Sequence, residues 1–386
     1  MRLTLALALF PTLLFAQVEQ GAPNASFQPA FPEQTRALAL ETTPVTVTTF
    51  ATGVARPWGI AALPGGQFVV TERAGRMRIV NADGAVSAPL PGVPEVAAQG
   101  QGGLLDVAAS PLFQSDRQIF WTYAKPVSGG AVTAAARGTL TPDGQLTDVG
   151  DIFIQSDPND TGRHFGSRII PMNDGTVWIT TGDRGAGDRG TLVQDIGSTH
   201  GKIIRINVDG SVPRDNPFIG RDGDDAIWSL GHRNVQGAAI AANGQLYTIE
   251  HGPRGGDELN LPVKGGNYGW PLVSYGINYR GSDVGQGAAV LDGTEQPVYY
   301  WDPVIAPGGM GFYNGSYGPW QGDLLIGSLN PGALVRLKMQ GGKVVGEERL
   351  LTDLGRRVRD VEITNDGRVF VLIDDDNGAI LEVTPG

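Results

Sequence analysis

The chain has 386 residues, enough for two average domains or one large β domain, and its 41% apolar content can fill a sizeable core. A formal charge of −11 argues against general nucleic-acid binding, which needs basic patches. With no cysteine there can be no disulfide, thiolate metal site, iron–sulfur cluster or cysteine nucleophile. The 57 glycines and 26 prolines follow no collagen-like period, and point instead to many tight turns between short strands.

The first 16 residues read MRLTLALALFPTLLFA. One cation, Arg2, precedes an apolar run over residues 3–15 and the small Ala16. That run is too short to span a bilayer, and residues 1–16 read as a signal peptide. The expected location is therefore periplasmic or extracellular. No cysteine follows the run, so a lipoprotein anchor is excluded. Residues 17–45 carry Pro23, Pro29 and Pro32 with little periodicity, and read as a linker or surface arm. Asn24-Ala25-Ser26 matches a glycosylation sequon, an accidental match behind a short prokaryote-like signal.

From residue 46 to 386 one phrase recurs: apolar alternation, a glycine-containing turn, a second apolar run, an acidic or polar end. It starts at Trp58, Gly166, Gln236 and Arg359, with looser copies at Gly102 and Gly309, six in all. Each copy is two strands joined by a turn built on Asn-Gly, Asp-Gly or a near equivalent, a specific hairpin signal. No amphipathic helix of normal length is evident. The 341 residues divided by six leave about 57 per unit, room for four short strands and loops. The expected fold is all-β, a six-bladed β-propeller of four-stranded antiparallel blades; a large sandwich is the alternative.

In a propeller the first strand of each blade lines the central channel, so the residues just before it ring one mouth. His164 and Arg233 each lie eleven residues before their turn glycines, Gly175 and Gly244. Arg356, Arg357 and Arg359 hold the matching place before Gly367, and Gln101 precedes the Gly-Gly that opens the second copy. A guanidinium cluster of this kind suits a planar carboxylate or phosphate, although single arginines on loops are more often simply solvated. His164 at the mouth is a candidate base, with Asp183 in Thr181-Gly182-Asp183 placed to fix its tautomer; a lone histidine is more often structural. The loop from Glu250 through His251, Gly252, Pro253, Asp257 and Glu258 to Tyr268 offers carboxylates and bent carbonyls, hard oxygen ligands that suit calcium. It lacks the alternating acids of an EF-hand, and turns stabilised by their own side chains would explain it equally well.

The pieces GQGGLLD at Gly100, RHFGSR at Arg163, TGDRG at Thr181, GHRNVQG at Gly231, EHGPRGGDELN at Glu250, KGGNYGWP at Lys264, YGINYRG at Tyr275 and RRVRDV at Arg356 run through nearly the whole repeat region. In this set and order the chain resembles the soluble PQQ-dependent aldose sugar dehydrogenases, the family of soluble quinoprotein glucose dehydrogenase. The resemblance implies pyrroloquinoline quinone (PQQ) over the channel mouth, oxidation of an aldose at its anomeric carbon to a lactone, and calcium beside the quinone. It implies His164 as base, Asp183 as its orienting carboxylate and Arg233 as the cation that stabilises developing negative charge. The implied cofactor-binding set is Gln101, Arg233, Asn234, Tyr279, Asn330, Arg357 and Arg359. Gly252 and Pro253 are implied carbonyl ligands of the calcium at the quinone, and Glu258 with the carbonyl of Tyr268 a further calcium position. At Asn330 many relatives carry a lysine that helps hold the cofactor; here the cation is replaced by an amide.

Two other functions compete: a non-catalytic propeller that binds carbohydrate at its mouth, and a calcium-dependent lactonase. A NAD-linked dehydrogenase is disfavoured because no strand–GxGxxG–helix unit is present. The expected partners are an aldose and an unidentified electron acceptor, with no nucleic acid and no membrane span, in a monomer or homodimer.

Overall fold

The computed structural model describes residues 16–185 and 191–386. Nearly all of the expected signal peptide therefore lies outside the described residues. The regular secondary structure of the described chain is almost wholly strand, with helices of a single turn such as Phe113–Asp116 and Thr191–Gln194.

Each of the six sequence repeats forms the two innermost strands of one antiparallel sheet. The pairs are Pro57–Leu63 with Gln67–Glu72, Leu104–Ala109 with Gln118–Val127, Gly166–Pro171 with Thr176–Thr181, Val235–Ile240 with Leu246–Glu250, Pro307–Phe312 with Leu324–Ser328, and Val358–Ile363 with Val369–Ile373. The first strands touch one another in order round a closed ring, and the last, Val358–Ile363, touches the first, Pro57–Leu63. This is a six-bladed β-propeller. The first blade is reduced to three strands, its outer edge continued by the bridge of Val80 to Val86 and by hydrogen bonds from Ser87 N to the Ile79 carbonyl and from Leu90 N to the Met77 carbonyl, both at 2.8 Å.

The ring is closed by both ends of the chain. Val45–Val54 pairs antiparallel with Gly378–Pro385 as the outermost strand of the sixth blade. Upstream, Leu38–Ala39 pairs in parallel with the outer strand of the fifth blade, Lys343–Leu350. The arm before it packs against the fourth blade through the buried amides of Gln20 and Gln34, which donate to Tyr299 Oη at 3.2 Å and to the Pro297 carbonyl at 3.0 Å, and against the fifth through Gln20 Nε2, which also donates to Glu347 Oε2 at 3.0 Å.

The turns explain the glycine content. At the fourth blade Gly244 N donates to the Ala241 carbonyl at 2.8 Å, and Ala241 N to the Gln245 carbonyl at 2.9 Å. Gly244, at φ 83°, is the one residue of this turn in the left-handed region, where a side chain would be strained. Between blades the core is apolar and aromatic; Trp121, Trp301 and Trp320 are fully buried, and truncating any of them to alanine would cost roughly 3–5 kcal/mol.

All six first strands share one irregularity: within their first four residues the register against the second strand shifts. A bulge there bends the strand and re-aims the side chains before it. Deeper in the channel Arg168 Nη1 bridges Asp106 at 2.7 Å and Asp360 at 3.1 Å, so charges from three blades meet on the axis.

Candidate active site

At the channel mouth His164 and Asp183 are in contact. His164 Nδ1 lies 2.7 Å from Asp183 Oδ1, and the His164 side chain keeps 12% of its surface exposed. Asp183 is held from two more sides: Gly185 N donates to Oδ1 at 2.7 Å, and Trp270 Nε1 donates to Oδ2 at 2.9 Å.

His164 sits at φ 53°, in the left-handed region. Such a conformation costs on the order of 1–3 kcal/mol and persists only where the surroundings impose it. They do so here. Gln101 Oε1 accepts the His164 N–H at 2.8 Å, and Arg184 N donates to the His164 carbonyl at 3.2 Å. The Arg184 guanidinium lies 3.4 Å from the centre of the Phe165 ring and donates to the Arg163 carbonyl. Gly182 must be glycine, because a Cβ there would stand 2.0 Å from the His164 carbonyl oxygen.

Burial holds the His164 pKa below its ordinary value, as does the charge of Arg233, against the opposing pull of Asp183. Burial pushes the Asp183 carboxyl up, but the bond and charge of His164 and the charge of Arg233 outweigh it and hold it below the usual range. The result at neutral pH is a neutral imidazole whose Nδ1–H is given to a carboxylate, leaving Nε2 as an acceptor.

Arg233 comes from the next blade, and its carbonyl accepts Asp183 N–H at 2.8 Å. Its Nη1 donates to the carbonyls of His251 at 3.0 Å and Gly252 at 2.8 Å, and its guanidinium lies 5.2 Å from the centre of the Trp270 ring. Asn234 is buried, with its Oδ1 accepting Gly166 N–H at 3.1 Å. From the sixth blade, Arg359 donates to Gln236 Oε1 and to Asp374 Oδ2, both at 2.9 Å, and Arg357 shares the same Asp374 oxygen at 3.1 Å. His251, facing Gln236 at 3.2 Å, completes the link back to the Arg233 blade. Gln101, His164, Asp183, Arg233, Asn234, Arg357 and Arg359 thus belong to one continuous polar cluster.

Two expected residues stand apart from it. Tyr279 is 70% exposed on a rim loop, and no hydrogen bond ties it to the cluster among the described residues. Asn330 is exposed on the turn after the fifth blade's second strand. Three contributors had no role assigned from sequence. Trp270 was visible in the GGNYGW turn but had no signal for its target. Gln236 is an ordinary strand residue by pattern. Asp374 had a usable signal: it ends the sixth repeat where Asp183 and Glu250 end theirs.

The expected calcium residues frame a small cavity of about 10 Å³, on the order of one water or ion, lined among others by Gly252, Glu250, Glu258 and Tyr268. Pro253 is buried but does not line it. Burial raises the Glu258 carboxyl well above its usual range, and the neighbouring Glu250 adds to this. Two carboxylates lining one small cavity fit a cation. The described residues hold no cluster of three His, Asp or Glu side chains able to bind a metal, so carbonyl oxygens would have to complete the shell. The mouth has the opposite character: the Nε–H groups of Arg233 and Arg359 are buried without a partner among the described residues. Unpaired guanidinium donors at an open mouth fit a polyanion.

The family model described as Glucose / Sorbosone dehydrogenase matches residues 54–382. The chain belongs to the glucose/sorbosone dehydrogenase family. It is 42% identical over 336 residues to the aldose sugar dehydrogenase YliI of Escherichia coli (strain K12), covering 85% of this chain and 90% of that protein. The apo-form crystal structure of the soluble aldose sugar dehydrogenase from Escherichia coli superposes with a TM-score of 0.85 at 41% identity, over 89% of this chain and 100% of that one. The PQQ-bound aldose sugar dehydrogenase of Streptomyces coelicolor superposes with a TM-score of 0.73 at 28% identity, over 89% and 100%. As a member of this family the chain is a sugar dehydrogenase. Among the described residues no helix is long and apolar enough to cross a membrane.

Proposed function

We propose that this dehydrogenase oxidises an aldose at its anomeric carbon to the lactone, with PQQ at the channel mouth and calcium beside it. The observation that carries the reading is the His164 Nδ1 to Asp183 Oδ1 contact of 2.7 Å at the rim of a cationic mouth. Support for the cofactor comes from the unpartnered Nε–H groups of Arg233 and Arg359, and from the PQQ-bound Streptomyces coelicolor relative. Gln101, Asn234, Arg233, Arg357 and Arg359 would hold it, with Tyr279 and Asn330 reaching in from the rim. When bound, PQQ supplies an ortho-quinone able to accept a hydride, and calcium supplies Lewis acidity. Gly252 and Pro253 would offer carbonyls to that calcium, and Glu258 with the Tyr268 carbonyl would hold a second ion in the small cavity.

The protein's own part is proton chemistry and charge placement. His164 Nε2 takes the proton of the anomeric hydroxyl, and the imidazolium that results is stabilised by Asp183 through Nδ1–H. Arg233, fixed by two carbonyls and the Trp270 ring, places positive charge where negative charge develops. Export guided by residues 1–16 would place the enzyme outside the cytoplasm, with residues 17–45 as the N-terminal arm of the mature chain.

The test is reconstitution with PQQ and calcium, a panel of aldoses and an artificial electron acceptor. Dye reduction should require both additions and vanish in His164→Ala, with lactone as product. Sugar binding without dye reduction would point to a binding propeller, and lactone hydrolysis without PQQ to a hydrolase; either overturns the reading.

A further inference from the structure

We infer that Trp270 is a positioning residue, one indole that sets the base pair of the third blade and the cation of the fourth in a single geometry. The inference rests on the reading of His164 as the base. The turn carrying Trp270 is docked on the strand before Arg233: Tyr268 N donates to the Leu230 carbonyl at 2.8 Å and Trp270 N to the Gly231 carbonyl at 2.9 Å. From the other side, Gln194 Nε2 donates to the Trp270 carbonyl at 2.8 Å, and Gln194 Oε1 accepts from Asn267 at 2.7 Å. So anchored, the ring faces two ways. Its Nε1–H reaches Asp183 Oδ2 at 2.9 Å, and its face lies 5.2 Å from the Arg233 guanidinium carbon. A tryptophan whose only role was to fill the core would need neither contact.

The chemical consequence has a definite sign. Asp183 has two oxygens, and the Trp270 bond to Oδ2 leaves Oδ1 for the His164 Nδ1–H. A hydrogen bond to a carboxylate stabilises its charge and weakens its pull on a second donor. Trp270 therefore restrains Asp183 from holding His164 as the imidazolium, and keeps Nε2 free at lower pH. The charged and titratable groups that face His164 besides Asp183 are Arg233, Arg163 and the neutral His251, with Arg184 behind its carbonyl. All of them remain when the indole N–H is removed.

Trp270→Phe keeps a ring beside Arg233 and deletes the donor. In the PQQ- and calcium-loaded enzyme, kcat should fall about tenfold, the usual scale for partners that orient a reactive group. KM for the sugar should stay within about twofold, and the acid limb of kcat/KM should move to higher pH. Independently of activity, the His164 ring resonance, one of only four histidines, should titrate at higher pH in Trp270→Phe than in wild type. A fall in melting temperature with an unmoved His164 titration would overturn the inference and mark Trp270 as structural. A moved titration with His164→Ala still active would keep the coupling and overturn only the base assignment. Should Trp270→Phe fail to fold, the wild-type Trp270 Nε1–H signal decides. It should lie downfield and shift as His164 titrates; a signal indifferent to that titration overturns the coupling.

Discussion

Arg359 Nη2 donates to Asp374 Oδ2 at 2.9 Å, so the one fully interior arginine of the sixth blade's mouth is held by the acid that ends its own hairpin. Arg359 still has its buried Nε–H unpartnered among the described residues. Arg359→Ala should therefore weaken PQQ binding about tenfold to a hundredfold. That is the scale of losing one charged hydrogen bond of roughly 1.5–3 kcal/mol. Isothermal titration of apo-protein would measure it, and an unchanged affinity would remove Arg359 from the cofactor site.

The pH dependence of turnover follows from His164. Its pKa is lowered from the ordinary 6.5, chiefly by burial, so the reactive neutral form persists below that value. The acid limb of kcat/KM should therefore fall below pH 6.5, and it should be absent from the residual rate of His164→Ala. A limb centred above 6.5 would contradict this.

Stability should respond to pH from the other end of the channel. Glu362 is pushed up from 4.5 to about 8, first by burial and then by Asp360 and Asp106. Folding therefore favours its protonated form. The contribution is fully present below pH 4.5 and is lost as pH rises through about 8. Glu362→Gln should flatten this part of the pH–stability curve, by on the order of 1 kcal/mol per pH unit mid-window. Urea denaturation of both proteins at several pH values would show parallel curves if Glu362 is ionised in the fold.

Calcium should stabilise the folded chain through the cavity at Glu258. At a hundredfold excess over its Kd the gain should be about 2.7 kcal/mol, seen as a rise in melting temperature that EDTA reverses. Glu258→Gln should lose most of this rise. An equal rise in both proteins would place the ion elsewhere.

Asn330→Lys would place in this loop the cation that the family resemblance leads one to expect. Because the site is exposed, the gain should be modest, about twofold to fivefold in PQQ affinity, and it should shrink at high salt. No gain at low salt would show that the turn points away from the cofactor.

The repeat was legible because each copy keeps an apolar period of two on both sides of a glycine turn, and such pairs bury their faces only by stacking. The contact of His164 with Asp183 was legible too: the two occupy corresponding ends of one hairpin. Trp270 was not. It contacts Asp183 across 87 residues and from a different blade, and no spacing rule reaches that far. The fate of Arg357 and Arg359 was half visible. Their clustering before Gly367 showed in the pattern, but not that one oxygen of Asp374 would receive both.

The sequence by itself determined the number of blades, the hairpin turns and the ring of polar residues at one mouth, since these follow from local periodicity and from φ values that favour glycine. Only the tertiary structure decided which of those residues meet. Closure of the ring by Val45–Val54 on the last blade brings the six bulged strands to one axis. There His164, Asp183, Arg233 and Trp270 come within bonding reach. Contacts between blades depend on the angle at which whole sheets pack, and no stretch of sequence encodes that angle alone.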